Sequence, residues 1–152
     1  MSVLAQLKAC TGRWTGTNRL WVDPDKPARS SDATVVVGTA GQGRFVTMAY
    51  TWADEGQPQD GLIVVGFEKD RNAVTAHWLD SWHNGVKVMR MEGTAEPGGP
   101  LFVRGTYPAP PGPDWGWTIR LEPSADRLRI VMHNIWPEGR EDLAVEAVLS
   151  RS

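Results

Sequence analysis

The sequence predicts an all-β fold: ten short antiparallel strands in an up-and-down meander, closed into a barrel and preceded by one helical turn. Three observations predict it. Sixteen glycines and eleven prolines punctuate the 152 residues at short, even intervals, the rhythm of many strands joined by turns. Between these breaks apolar and polar residues alternate, giving each strand one apolar face. Ten such strands cannot lie open without exposing an edge, and closure removes the edge. The eight tryptophans fit this picture: Trp14, Trp21, Trp52, Trp78, Trp82, Trp115 and Trp117 fall on strands, and Trp136 sits beside a turn. Rings spread in this way around a sheet line a cavity or a thick core.

Residues 3–9 form the helical turn, with Val3, Leu4 and Leu7 on one side. Strands are expected at 12–21, 33–39, 44–53, 61–68, 72–82, 86–95, 101–107, 115–122, 127–135 and 140–150. Asn84-Gly85 is a strong two-residue hairpin signal, since both residues tolerate positive φ. Closing that hairpin with His83 opposite Val86 pairs Asp80 with Met89, Trp78 with Met91 and Trp82 with Lys87 on the apolar face. His77 then meets Glu92 on the polar one. A turn over Pro123 to Asp126 sets Leu121 on Leu128, Ile119 on Ile130, Trp117 on Met132 and Trp115 on Asn134. It also places Arg120 opposite Arg129, a flaw that Glu146 offsets. A four-residue loop, Trp136 to Gly139, pairs Met132 with Leu143, Ile130 with Val145 and Leu128 with Ala147, and faces His133 with Asp142. A three-residue loop would mix the two faces, so the longer one is expected.

Composition bounds the partners. Hydrophobic content of 41%, charged content of 22% and a net charge of −2 describe one ordinary globular domain over residues 1–152. The basic residues form no run, so nucleic acid is not an expected partner. No segment approaches the roughly 20 apolar residues of a membrane helix. One cysteine excludes an internal disulfide, and Leu7-Lys8-Ala9-Cys10 is a poor lipoprotein box with a lysine inside it and no apolar run before it. A cytoplasmic protein is expected, with monomer and homodimer both open.

The opening strand, Gly12-Arg13-Trp14-Thr15-Gly16, matches the Gly-x-Trp that begins lipocalin strands, and Arg151 matches the arginine that stacks on that tryptophan. Through these residues the chain resembles the calycins: lipocalins, fatty-acid-binding proteins and nitrobindins. Gly66-Phe67-Glu68, Trp78-Leu79-Asp80-Ser81 and the stretch Glu146 to Arg151 extend the likeness to bacterial lipocalin-like domains of unassigned function. The resemblance implies a lipocalin-like barrel with Arg151 over Trp14 at its floor and the helical turn covering that end. Nitrobindins hold haem through a histidine on the last strand. The last strand here, Glu141 to Leu149, has none, so no cofactor is expected.

The histidines offer little metal chemistry on this reading. His77 and His83 lie roughly 20 Å apart along one strand at about 3.3 Å per residue, and His77 and His133 fall on polar faces. Cys10 reads as an inert thiol. No motif for metal hydrolysis, nucleophilic catalysis or phosphate binding is present.

The sharper signal is a polar set among inward rings. In a meander every second loop lies at the same end, and that end collects loops 22–32, 53–60, 83–86, 108–114 and 136–139, the longest and most proline-rich. The inward residues Trp78, Asp80, Trp82, Lys87, Met89, Met91, Trp115, Trp117, Asn134 and Glu141 converge on this mouth. They suit a small hydrophobic or amphipathic ligand, with Asp80 and Glu141 holding its polar group. Two alternatives remain. The mouth carboxylates, their pKa raised against indole rings, could act as acid or base in a barrel enzyme. A barrel filled by its own side chains would act only through its surface, and Asp80 would then simply cap a turn.

Overall fold

The computed structural model describes residues 2–152. A six-residue helix, α1 (Val3–Lys8), leads into ten strands: β1 (Gly12–Leu20), β2 (Arg29–Ala40), β3 (Phe45–Asp54), β4 (Gln57–Glu68), β5 (Ala73–Asp80), β6 (Met89–Ala95), β7 (Leu101–Tyr107), β8 (Trp115–Pro123), β9 (Arg127–Ile135) and β10 (Glu141–Arg151). Each pairs antiparallel with its sequence neighbours, and β1 pairs with β10 to close the barrel. The expected all-β barrel and its helical turn are present.

Turn chemistry decides the registers. Glu55-Gly56 forms a two-residue turn, both residues at positive φ, and pairs Asp54 with Gln57. The strands therefore run well into the 53–60 segment that the sequence suggested was loop. Asn84-Gly85 does not close a tight hairpin. Residues 81–88 instead form a wider loop, and Trp78 meets Met89 rather than Met91. The slip is two residues, so the inward and outward faces keep their identity. The same happens between β8 and β9, where Ile119 meets Met132 and Glu122, not Arg120, meets Arg129. The arginine clash disappears. Arg19, Glu146, Arg129, Glu122 and Arg120 instead alternate in sign across the outer face of β1, β10, β9 and β8.

The last hairpin takes the connection that parity argued against. Trp136 and Arg140 bracket a three-residue loop, with the Trp136 N–H donating to the Arg140 carbonyl at 2.8 Å. The resulting misfit is absorbed by a bulge between Leu143 and Val145. Beyond it Val145 faces Met132 and Ala147 faces Ile130, both inward. Before it Leu143 and Glu141 leave the inward frame, and Glu141 stands exposed.

The end of the barrel nearest α1 is closed by Trp14 and Leu7. Trp14 is fully buried there, its indole N–H donating to the Cys10 carbonyl at 2.8 Å. The Arg151 guanidinium lies 4.5 Å from the Trp14 ring centroid and donates to the carbonyls of Ala9 and Thr11. A helix of six residues is unstable alone. Here it is held by buried Leu7 and by the Ser2 hydroxyl accepting from the Ala5 N–H. Above this floor Val35, Met48, Ile63, Val65, Ile119 and Leu128 fill the bore.

The ladder is not uniform. Strand β6 pairs with β5 from Trp78↔Met89 to Val74↔Gly93, and with β7 only from Glu92↔Arg104 to Ala95↔Leu101. Towards the long-loop end, Met89 to Met91 carry no ladder pairs with β7. The wall is thinnest there.

Candidate functional site

Asp80 ends β5 and organises everything around it. Its Oδ1 accepts from the backbone N–H groups of Trp82 and His83, both at 2.8 Å, which turns the chain out of the strand. The same oxygen lies 2.9 Å from His83 Nδ1. Oδ2 accepts from the Tyr50 hydroxyl at 2.6 Å and from the Trp52 indole N–H at 3.3 Å. Trp78 donates its indole N–H to the Tyr50 oxygen at 2.8 Å. Burial works to raise the Asp80 pKa. The hydrogen bond and charge of His83, with the Tyr50 hydroxyl, outweigh it and hold the carboxyl below its ordinary value. Tyr50 is pushed far up, first by burial and then by the Asp80 charge. An ionised carboxylate only accepts, so the His83 ring donates to it from Nδ1.

The His83 side chain is 10% exposed and enclosed by indoles. Ring centroids lie 4.7 Å away for Trp82, 5.2 Å for Trp117, 5.5 Å for Trp78 and 5.8 Å for Trp52. Trp78 and Trp117 stack at 5.2 Å with an interplanar angle of 16°. Two polar atoms of this cluster, His83 Nε2 and Trp117 Nε1, are buried with no hydrogen-bond partner among the described residues. Each such atom costs about 1–3 kcal/mol when left unmet.

Space lies on both sides of His83. Inward, beside Asn18, Asp80 and Met132, is a water-sized void of about 30 Å³. Outward, between loop 81–88 and β7, is a cleft of about 460 Å³. That is within the range of small-molecule sites. It opens where β6 and β7 part, with Met89 on one side and Thr106, Tyr107 and Pro108 on the other. The room is therefore at the mouth, and the bore expected to be hollow is largely filled.

Of the ten residues singled out from the sequence, Trp78, Trp82, Lys87, Met89 and Trp117 line this cleft. Trp82 and Lys87 lie in the loop, not on paired strands, and both are exposed. Asp80 stands behind His83, its two oxygens engaged by five donors. Its lowered pKa contradicts the raised one expected of a catalytic acid. Met91 is buried deeper, opposite Ala76. Trp115 packs on Trp136 at 4.5 Å, and Asn134 accepts from the Tyr107 hydroxyl at 2.5 Å, so both belong to a neighbouring cluster. Glu141 is displaced outward by the three-residue loop and the bulge.

His83, Tyr50, Trp52 and Tyr107 were missed. Asp80-Ser81-Trp82-His83 carried a usable signal, because an aspartate three residues before a histidine in a turn can bind both its backbone and its ring. Tyr50 and Trp52 reach Asp80 from β3, two strands away, and nothing local announces that. His77 is exposed and His133 half-buried. Among the described residues no group of three His, Cys, Asp or Glu side chains is placed to hold a metal ion. The donor set also does not fit haem held as in nitrobindins, since β10 has no histidine.

A family model described as "Protein of unknown function (DUF1579)" matches residues 3–151, and the chain belongs to that family. No curated protein matches it. Among solved structures it is similar to Rv2717c from M. tuberculosis, at 16% identity and a TM-score of 0.67, over 100% of this chain and 99% of that one. That likeness establishes the barrel. No helix among the described residues is long and apolar enough to cross a membrane.

Proposed function

We propose that this member of the DUF1579 family binds a small hydrophobic or amphipathic molecule in the cleft beside His83. One observation carries the reading: a cleft of about 460 Å³ is lined by Trp78, Trp82, Trp117 and Met89, and two polar atoms buried beside it, His83 Nε2 and Trp117 Nε1, lack partners. Such atoms are rare in folded proteins, and each calls for a partner such as a bound molecule or an ordered water. The indole faces suit an apolar body and Met89 adapts to its outline. Lys87 at the rim suits a negative or polar tail. The Gly-x-Trp opening and Arg151 over Trp14 support kinship with the calycins, whose barrels take ligands at one open end.

The test is a fluorescence titration against a panel of hydrophobic compounds, with Met89→Trp as the blocking variant. A ligand of this cleft quenches wild-type emission at one-to-one stoichiometry. Met89→Trp weakens it about tenfold or more while thermal stability changes little. If every quenching ligand binds Met89→Trp as well as wild type, the cleft is not the site.

The Asp80–His83 pair also supports a second reading, with His83 as a general base whose ring the carboxylate orients. It requires chemical change in a bound compound that His83→Gln abolishes without abolishing binding.

A further inference from the structure

We propose that the bore holds ordered water on Asn18, an internal hydration site separate from the cleft and independent of what the cleft binds. Asn18 lies on the inward frame of β1, between Trp14 and Leu20, in an otherwise apolar row. It is 6% exposed, and its side-chain amide has no hydrogen-bond partner among the described residues. It lines the void of about 30 Å³ described above. Small neighbours make that room. Ala147 faces Asn18 across the β1–β10 ladder, and Ala33 lies two residues from its β2 partner, Ser31. The burial pattern marks the same place. Ala33, Trp52, Val145 and Ala147 around the void keep 5–6% exposure, whereas Met48, Ile63 and Val65 deeper in the bore keep none.

Size and polarity together name the occupant. A void needs about 10–15 Å³ to hold one water, so this one takes about two at most and no larger guest. A void lined only by aliphatic groups stays dry. Here a primary amide brings two N–H donors and a carbonyl acceptor. Leaving these unmet away from solvent is costly, and water can both donate to the carbonyl and accept from the N–H. Asp80 and Tyr50 line the same void, so a water in it has polar neighbours besides Asn18, as held water requires. Through that water β1 joins the polar cluster that β3 and loop 81–88 build around Asp80.

Three proteins test it: wild type, Asn18→Leu, which removes the amide at similar size, and Ala33→Leu, which fills the void and keeps the amide. ¹⁷O relaxation dispersion counts the long-lived waters in each. Xenon, which enters dry apolar cavities, is the counter-probe. The expected result is that each variant loses at least one long-lived water relative to wild type. Xenon should leave the Ala33, Val145 and Ala147 methyl resonances of the wild-type protein unmoved. A count lowered by Asn18→Leu supports the site whether or not Ala33→Leu folds. An equal count in wild type and both variants overturns it, as does xenon shifting those methyl groups in wild type. A count lowered by Ala33→Leu alone would place the water against Asp80 and Tyr50 and remove Asn18 from the site, which also overturns the proposal.

Discussion

Asp80 shows how much local structure one buried carboxylate can hold together. Its five donors come from one strand and a loop, so it ties β3 to the start of the 81–88 loop while holding the His83 ring by Nδ1. Asp80→Asn keeps the shape, removes the charge and turns an amide N–H toward groups that also donate. Urea unfolding at neutral pH should show a loss of about 2–4 kcal/mol. The acid limb gives an independent check. The folded pKa of Asp80 lies below its ordinary 3.8, so its stabilisation is complete above that value and disappears as pH falls through the lower folded one. The stability gap between wild type and Asp80→Asn should be constant above about pH 5 and shrink below pH 4. A gap that persists undiminished into strong acid would mean the carboxylate charge is not what the donors hold.

At the scale of elements, the sequence carried the faces well and the registers poorly. Alternation placed Trp78, Ile119, Leu128 and Ile130 inside, and the structure keeps them there, because a slip by two residues leaves parity untouched. What decided the slips lay in the turns. Loop 81–88 is wide because Asp80 bonds the backbone of Trp82 and His83, overriding the Asn84-Gly85 signal two residues later. Ser124 and Arg127 close a tighter turn than Pro123 implied. Glu141 was misplaced because a bulge leaves no mark in hydrophobic periodicity. Half of the candidate site was legible for the same reason as the core, by parity. His83, Tyr50 and Trp52 were not, because they meet through pairing across the sheet. One strand position tests how closely the elements approach. A methyl group at Gly93 would lie 1.8 Å from the Phe102 carbonyl oxygen of β7. Gly93→Ala must therefore push β6 from β7, and the expected loss in thermal or urea unfolding is about 1–3 kcal/mol. A neutral result would show that this part of the wall yields freely.

For the molecule as a whole, closure means that no strand is an edge, and melting cannot begin by peeling one away. The barrel must first part along its length. The shortest ladders belong to β6, so amide hydrogen exchange should reach β6 before β3, β4, β9 or β10. Exchange that starts at the β1–β10 closure instead would place the weak line elsewhere. The cleft lies along this same strand, with Met89 on one bank and Thr106 and Tyr107 on the other. A guest seated there would act as a clasp, touching both lips where the ladder carries no pairs. Its grip would then be felt as slower opening of the entire cylinder, and the path by which it enters and the path by which the protein comes apart would be one and the same.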